Sequence, residues 1–246
     1  MNILSTINPT RHFNMLYIII DSIFIIFLLI LLWVKKQKIT FWWSIFGGIL
    51  YFIVDFGYFY LLSGSRVVSI NNQVCNPTST ALVLLWMSLS YGITNFCYIW
   101  LFLKKDKDLK EFIILIVGWW LVAPTISSLG GNAVIETFRT TNKYHGVMGI
   151  ILVAGYLMLI LYNLLNKNNY KINILRLNII GISVQFFWEF ALLINGIRPF
   201  NDDSIMTLMI NSLIETNLGL PYIYLIYCFV SKKYHDDLSI VEEVKA

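Results

Sequence analysis

The sequence predicts an all-α polytopic membrane protein of seven transmembrane helices. Three observations carry this. Hydrophobic residues make up 58% of the 246 and charged residues only 13%, against about 25% charged in a soluble domain. Predominantly apolar segments long enough to cross a bilayer recur along the whole chain. The basic residues sit at the ends of those segments. One domain, 1–234, is expected, with a polar tail over 235–246 and no separate soluble domain. A charge of +4 spread over helix ends gives no basic face for nucleic acid.

The elements follow in order. The first span is read over Asn14 to Trp33, ending at Lys35, Lys36 and Lys38. It starts after a polar leader and lacks a small-residue cleavage site, so it is read as a span and not a cleaved signal. The second covers Phe41 to Leu62. A loop rich in Ser and Asn, Ser63 to Thr78, leads to the third, Thr80 to Leu103, which ends at KKDKDLK. The fourth runs from Phe112 to Ile126, its end marked by Pro124 and Gly130–Gly131. The connection to Tyr144 has room for a short interfacial helix. The fifth covers His145 to Leu165, the sixth Leu175 to Asn195, and the seventh Met206 to Val230. Gly219 and Pro221 predict a kink in the last of these. Cys75, Cys97 and Cys228 form no CxxC, and an internal disulfide is not expected.

Basic residues set the orientation. The connections after odd-numbered spans hold Lys35, Lys36, Lys38, Lys104, Lys105, Lys107, Lys110, Lys167, Lys171, Arg176, Lys232 and Lys233. The opposite connections hold Arg66, Arg139, Lys143 and Arg198, with Arg11 in the leader. The N-terminus is therefore expected outside and the C-terminus in the cytoplasm. The host membrane is expected to be a bacterial cell membrane, or the endoplasmic reticulum in a eukaryote.

Four acids lie inside apolar segments: Asp21, Asp55, Glu189 and Glu215. A carboxylate within a membrane helix is costly and usually faces a bundle interior or a cavity. At about 1.5 Å rise per residue, all four fall roughly 10 Å inside the outer boundary. Common depth suggests one outward cavity. No Lys or Arg is expected at that depth to neutralise them, so at least one carboxyl is expected to be protonated. The plainer alternative is helix packing, strongest for Asp21, which has Ser22 beside it and Tyr17 one turn earlier. Gln185 shares a face with Glu189, and Asn211 with Glu215. Tyr58, Trp86, Tyr91, Phe187 and Trp188 are candidates to line a pocket, although each also suits ordinary packing. Arg66, Arg139 and Arg198 stand at the expected rim, where a polar substrate end or lipid headgroups would meet them. There is no HExxH, DDxxD, histidine box, GxSxG or Walker sequence. Neither a metal nor a cofactor is expected. No lysine in the seventh span offers a retinal Schiff base.

WEFALLINGIRP around Glu189, NSLIETNLGLPYIYLIY around Glu215 and VDFGYFY around Asp55 resemble motifs of the small seven-helix terpene cyclases of fungal meroterpenoid and indole-diterpene pathways and their bacterial relatives. The close likeness covers about a quarter of the chain; the family tends to have glutamate where Asp55 stands. The resemblance implies a metal-independent isomerase or lyase that protonates a terminal epoxide or alkene of a prenyl chain. Asp55, Glu189 and Glu215 would be its acids, with Glu189 or Asp55 donating. The partners implied are a prenylated apolar substrate and membrane lipids, with no obligate protein partner. A proton-coupled transporter of a small or amphipathic molecule, or a seven-helix ligand sensor, would use the same cavity.

Overall fold

A computed structural model describes residues 9–130, 133–140, 144–165, 171–201 and 204–234. Lys143, Lys167, Asp202, Asp203 and the tail over 235–246 lie outside the described residues. Among the described residues, seven helices are long and apolar enough to cross a membrane, so the chain is an all-α seven-helix membrane protein. They are α1 (Met15–Val34), α2 (Lys38–Phe52, continued as a π-helix over Ile53–Leu62), α3 (Pro77–Lys104), α4 (Leu109–Ser127), α5 (His145–Leu165), α6 (Ile174–Ile194), and a last span split into α7 (Ser204–Ile214) and α8 (Leu220–Tyr234). Each expected span is present, within a few residues of its predicted ends.

Local chemistry explains where the helices begin and break. The Asn14 side chain accepts from the Tyr17 N–H and caps α1, satisfying an orphan donor of the first turn. Its amide also donates to the carbonyls of Ser127 and Gly130, tying the start of α1 to the end of α4. Asn76 caps α3, with Pro77 at the first helical position, where a missing N–H costs nothing. The kink expected at Gly219–Pro221 is a full interruption. α7 stops at Ile214, a 3₁₀ turn spans Asn217–Gly219, and Pro221 lies in the first turn of α8. Asn217 fixes this break: its Oδ1 accepts from Tyr156 Oη at 2.6 Å, and its Nδ2 donates to Asn178 at 3.1 Å.

α2 and α3 pack more closely than their large side chains alone would permit. A Cβ built on Gly92 would lie 2.5 Å from Gly48 Cα and 2.6 Å from the Gly47 carbonyl oxygen. Such small-residue seams let helix backbones approach in lipid. Gly92→Ala is therefore expected to destabilise the protein by about 1–3 kcal/mol through overpacking. Gly118→Ala, with nothing within 4 Å of the added methyl, serves as the control. Thermal unfolding in one detergent would compare the two; equal melting temperatures would remove this account of the seam.

Between the helices at one end of the bundle lies a four-stranded antiparallel sheet that the sequence reading treated as loops. Its strands are β1 (Arg11–Asn14), β2 (Arg66–Ile70), β3 (Gln73–Val74) and β4 (Val134–Arg139), in the order β1-β4-β2-β3. The connection before Tyr144, expected to hold an interfacial helix, holds β4 instead. Its β-branched pattern, VIETFR, suits a pleated surface. β2 and β3 form a hairpin whose turn residues, Asn71 and Asn72, both take positive φ (50° and 63°), as a two-residue hairpin turn of the primed type requires. The register sets Arg11 opposite Thr137, and Arg66 opposite Arg139. Side chains alternate across a sheet, so Arg11, Arg66, Thr137 and Arg139 share the face turned toward the helices. The clusters Lys35–Lys38 and Lys104–Lys110 lie at the other end of the bundle.

Candidate functional site

Beneath the sheet, a cavity of about 570 Å³ runs down between the helices, within the range of small-molecule sites. Its walls include Trp43, Phe46, Tyr51, Tyr91 and Phe96. Trp43 and Asp55 both line it and are twelve residues apart on one helix, so it reaches about 18 Å along α2. Its charged groups are gathered at the sheet end: Asp55 and Glu215 from the helices, Arg11, Arg66 and Arg139 from the strands.

Both cavity-lining acids sit where the helices are irregular. Asp55 belongs to the π-helical stretch Ile53–Leu62, and Glu215 follows the last residue of α7 at the break. π-helical segments recur at functional sites, and interrupted helices build the polar sites of many membrane bundles. In both cases the irregularity places a carboxyl inside an otherwise apolar wall.

Each of the three acids named as catalytic candidates meets an arginine. Arg66 Nε donates to Asp55 Oδ1 at 2.6 Å. Arg139 Nη2 donates to Glu215 Oε1 at 2.6 Å. Arg198 Nη2 lies 2.6 Å from Glu189 Oε2, with Arg11 Nη2 3.9 Å from Glu189 Oε1. This corrects the expectation that no cation reaches the acids. The arginines lie outside the spans in sequence, yet their long side chains extend inward from the sheet and from the segment after α6. Like charges directly opposite on neighbouring strands destabilise a sheet. Arg66 and Arg139 form such a pair, and Asp55 and Glu215 offset it.

Burial, and then the neighbouring Arg139, push the Arg66 guanidinium down to about 10. Burial likewise lowers Arg11, with Glu189 opposing it. Burial also pulls on Arg139, but Glu215, Asp55 and Glu189 together carry it above the ordinary arginine value. Arg139 is thus the most firmly charged of the three.

Gln185 joins the two glutamates. Its Nε2 donates to Glu189 Oε1 at 3.3 Å and to Glu215 Oε2 at 3.4 Å. Its Oε1 accepts from Tyr91 Oη and from Thr216 Oγ1. Glu215 is therefore held at both oxygens. Asp55 has its second oxygen, Oδ2, without a partner among the described residues, and its side chain is 21% exposed.

The remaining candidates divide. Tyr58 and Tyr91 line the cavity with Asp55 and Glu215. Glu189 is only 1% exposed and stands behind Gln185, outside the lining. Asp21 is set apart, its carboxylate accepting from Trp86 Nε1 at 3.1 Å and Trp119 Nε1 at 2.9 Å. Trp86 and Trp188 border a neighbouring pocket of about 20 Å³, room for little more than water. Phe187 is exposed on α6, and Asn211 is buried on α7 without lining the cavity. Sequence reasoning passed over Arg11, Tyr51 and Thr216. The signal for Arg11 was the alternation in RHFN, which sends Arg11 and Phe13 to one face. Among the described residues, no group of three or more His, Cys, Asp and Glu side chains is placed to hold a metal ion. No family model, curated protein or solved structure matches the chain.

Proposed function

We propose that the protein is a metal-independent membrane cyclase that starts ring closure of a prenyl chain by protonating a terminal epoxide or alkene. The observation that carries the reading is a carboxyl with one uncommitted oxygen, Asp55, at the edge of a long aromatic-walled cavity. Asp55 is the donor. In the reacting form its uncommitted Oδ2 has taken up a proton from solvent, and that Oδ2–H bond breaks as the proton passes to the epoxide oxygen or the alkene carbon. With an epoxide, the carbon–oxygen bond opens to a tertiary cation; with an alkene, the cation forms directly. Internal alkenes then attack in turn, each closing a carbon–carbon bond. The final cation loses a proton from carbon, returning Asp55 to its starting state. The product is an isomer of the substrate.

The other groups have distinct roles. Arg66 on Oδ1 stabilises the carboxylate left after donation, since charge-assisted hydrogen bonds are the stronger kind. Glu215, clamped by Arg139 and Gln185, stays ionised and stabilises the cation from a fixed position. Tyr51, Tyr91 and Phe96 present aromatic faces to the travelling charge. The cavity opens toward the outside of the cell, from where an apolar substrate enters through the outer leaflet.

Purified protein incubated with plain and with epoxidised prenylated substrates tests the reading. Cyclisation leaves mass unchanged and shifts chromatographic retention. Recovery of both substrates at their original retention would remove the cyclase assignment.

A further inference from the structure

We infer that the substrate's polar end is an anion, a phosphate ester or carboxylate, held by Arg11 on β1, two strands across the same sheet face from the Arg66 that pairs with Asp55. The inference rests on the cyclase reading for its account of the chain end, but its test does not require turnover.

Charge points to it first. Among the described residues, four guanidiniums converge on the site, Arg11, Arg66, Arg139 and Arg198, against three carboxylates, Asp55, Glu189 and Glu215. Three arginines have a carboxylate oxygen at 2.6 Å. Arg11 is the surplus one. Its contact with Glu189 is 3.9 Å, and Arg198 already holds the other oxygen of that carboxylate. A half-neutralised guanidinium is expensive beneath a sheet and inside a membrane bundle. Arg11 is nonetheless turned into the cavity and lines it, with the Trp188 ring 5.9 Å from its guanidinium carbon. An arriving anion would neutralise it and take up its fork of N–H donors.

Placement gives the second support. β4 lies between β1 and β2. Arg11 and Arg66 are thus two strand spacings across and two residues along from one another, about 12 Å. An anion at Arg11 and a reacting chain end at Asp55, paired to Arg66, would stand about that far apart. A prenyl chain held at both points would fold into the aromatic cavity between them, which is the bent shape that ring closure requires. Arg66 and Arg139 each hold a carboxylate at 2.6 Å, so the head is assigned to the cavity-lining guanidinium whose carboxylate contact is longest, Arg11 at 3.9 Å.

Binding of a 15-carbon prenyl monophosphate and of the corresponding prenyl alcohol tests the inference, measured in phosphatidylcholine nanodiscs by quenching of tryptophan fluorescence. One charge-assisted contact predicts roughly a tenfold or greater preference for the phosphate. Arg11→Gln is expected to collapse that ratio toward unity, and Arg11→Lys to retain most of it. Equal affinities for the two ligands, or a preference that survives Arg11→Gln, would overturn the assignment. A third arm uses phosphatidylglycerol nanodiscs. If the phosphate preference disappears there, the site houses bilayer phospholipid, and the dedicated substrate is ruled out. Prenyl phosphate bound through Arg11 but never cyclised would remove the cyclase reading alone. Cyclisation of phosphate-headed and neutral substrates with equal efficiency by the parent, unchanged for both by Arg11→Gln, would remove the anionic head alone.

Discussion

Arg198→Met is expected to cost about 3 kcal/mol of stability, at the low end of what breaking one side of a buried ion pair costs. The Glu189 side chain is 1% exposed and Arg198 only 12%, so the carboxylate left behind cannot reach water. Arg11, at 3.9 Å, takes up part of the lost compensation. The double variant Arg198→Met/Glu189→Met replaces both charges with apolar atoms and is expected to recover most of the loss, because an apolar pair is often as stable as the ion pair it replaces. Equilibrium unfolding in mixed micelles measures all three proteins. A single variant within about 0.5 kcal/mol of the parent, the range of an ordinary surface change, would mean that the pair is not a buried, mutually dependent contact. A double variant no better than the single one would mean that the cost lies in lost packing.

The largest effect on turnover is expected at Asp55. Asp55→Asn keeps the shape and the hydrogen bond to Arg66 but removes the transferable proton. The rate should fall by about 10²–10⁴, the range of a single general acid. Glu215→Gln is expected to slow turnover less, since it removes a fixed anion but no proton donor. It also leaves Arg139 unneutralised, so Glu215→Gln combined with Arg139→Gln separates electrostatic catalysis from damage to the fold. Rate constants under saturating substrate, with melting temperatures recorded in parallel, decide the order. An Asp55→Asn protein as active as the parent would transfer the donor's role elsewhere. Glu189→Gln has a different prediction: it lies outside the cavity lining, so its effect should follow stability and not the proton.

Much of the fold was legible because the signals are local. Twenty-residue apolar runs and the Gly219–Pro221 pair each act within a few residues, and the spans and a kink in the last helix followed from them. The sheet was not legible in the same way. Its strands have 4, 5, 2 and 6 residues, too short for period-two alternation to stand out, and β1 pairs with a strand more than a hundred residues away. The acids were visible because a charge in a span is costly. Their partners were hidden because depth was judged from backbone position alone. Arg139 and Glu215, 76 residues apart, meet only because the sheet turns an arginine face toward the helices. The Asn71–Asn72 turn and the alternation in RHFN and VIETFR were the available signs.

Cyclisation of an alkene-terminated prenyl substrate in deuterated water tests the central claim most directly. The Asp55 proton exchanges with solvent, and the carbon–hydrogen bond made in the first step is permanent. The account predicts a cyclic product carrying one deuterium at the carbon that received the proton, formed by the parent protein and lost with Asp55→Asn. A cyclic product without deuterium at that carbon, or labelled product formed as fast by Asp55→Asn, would contradict it.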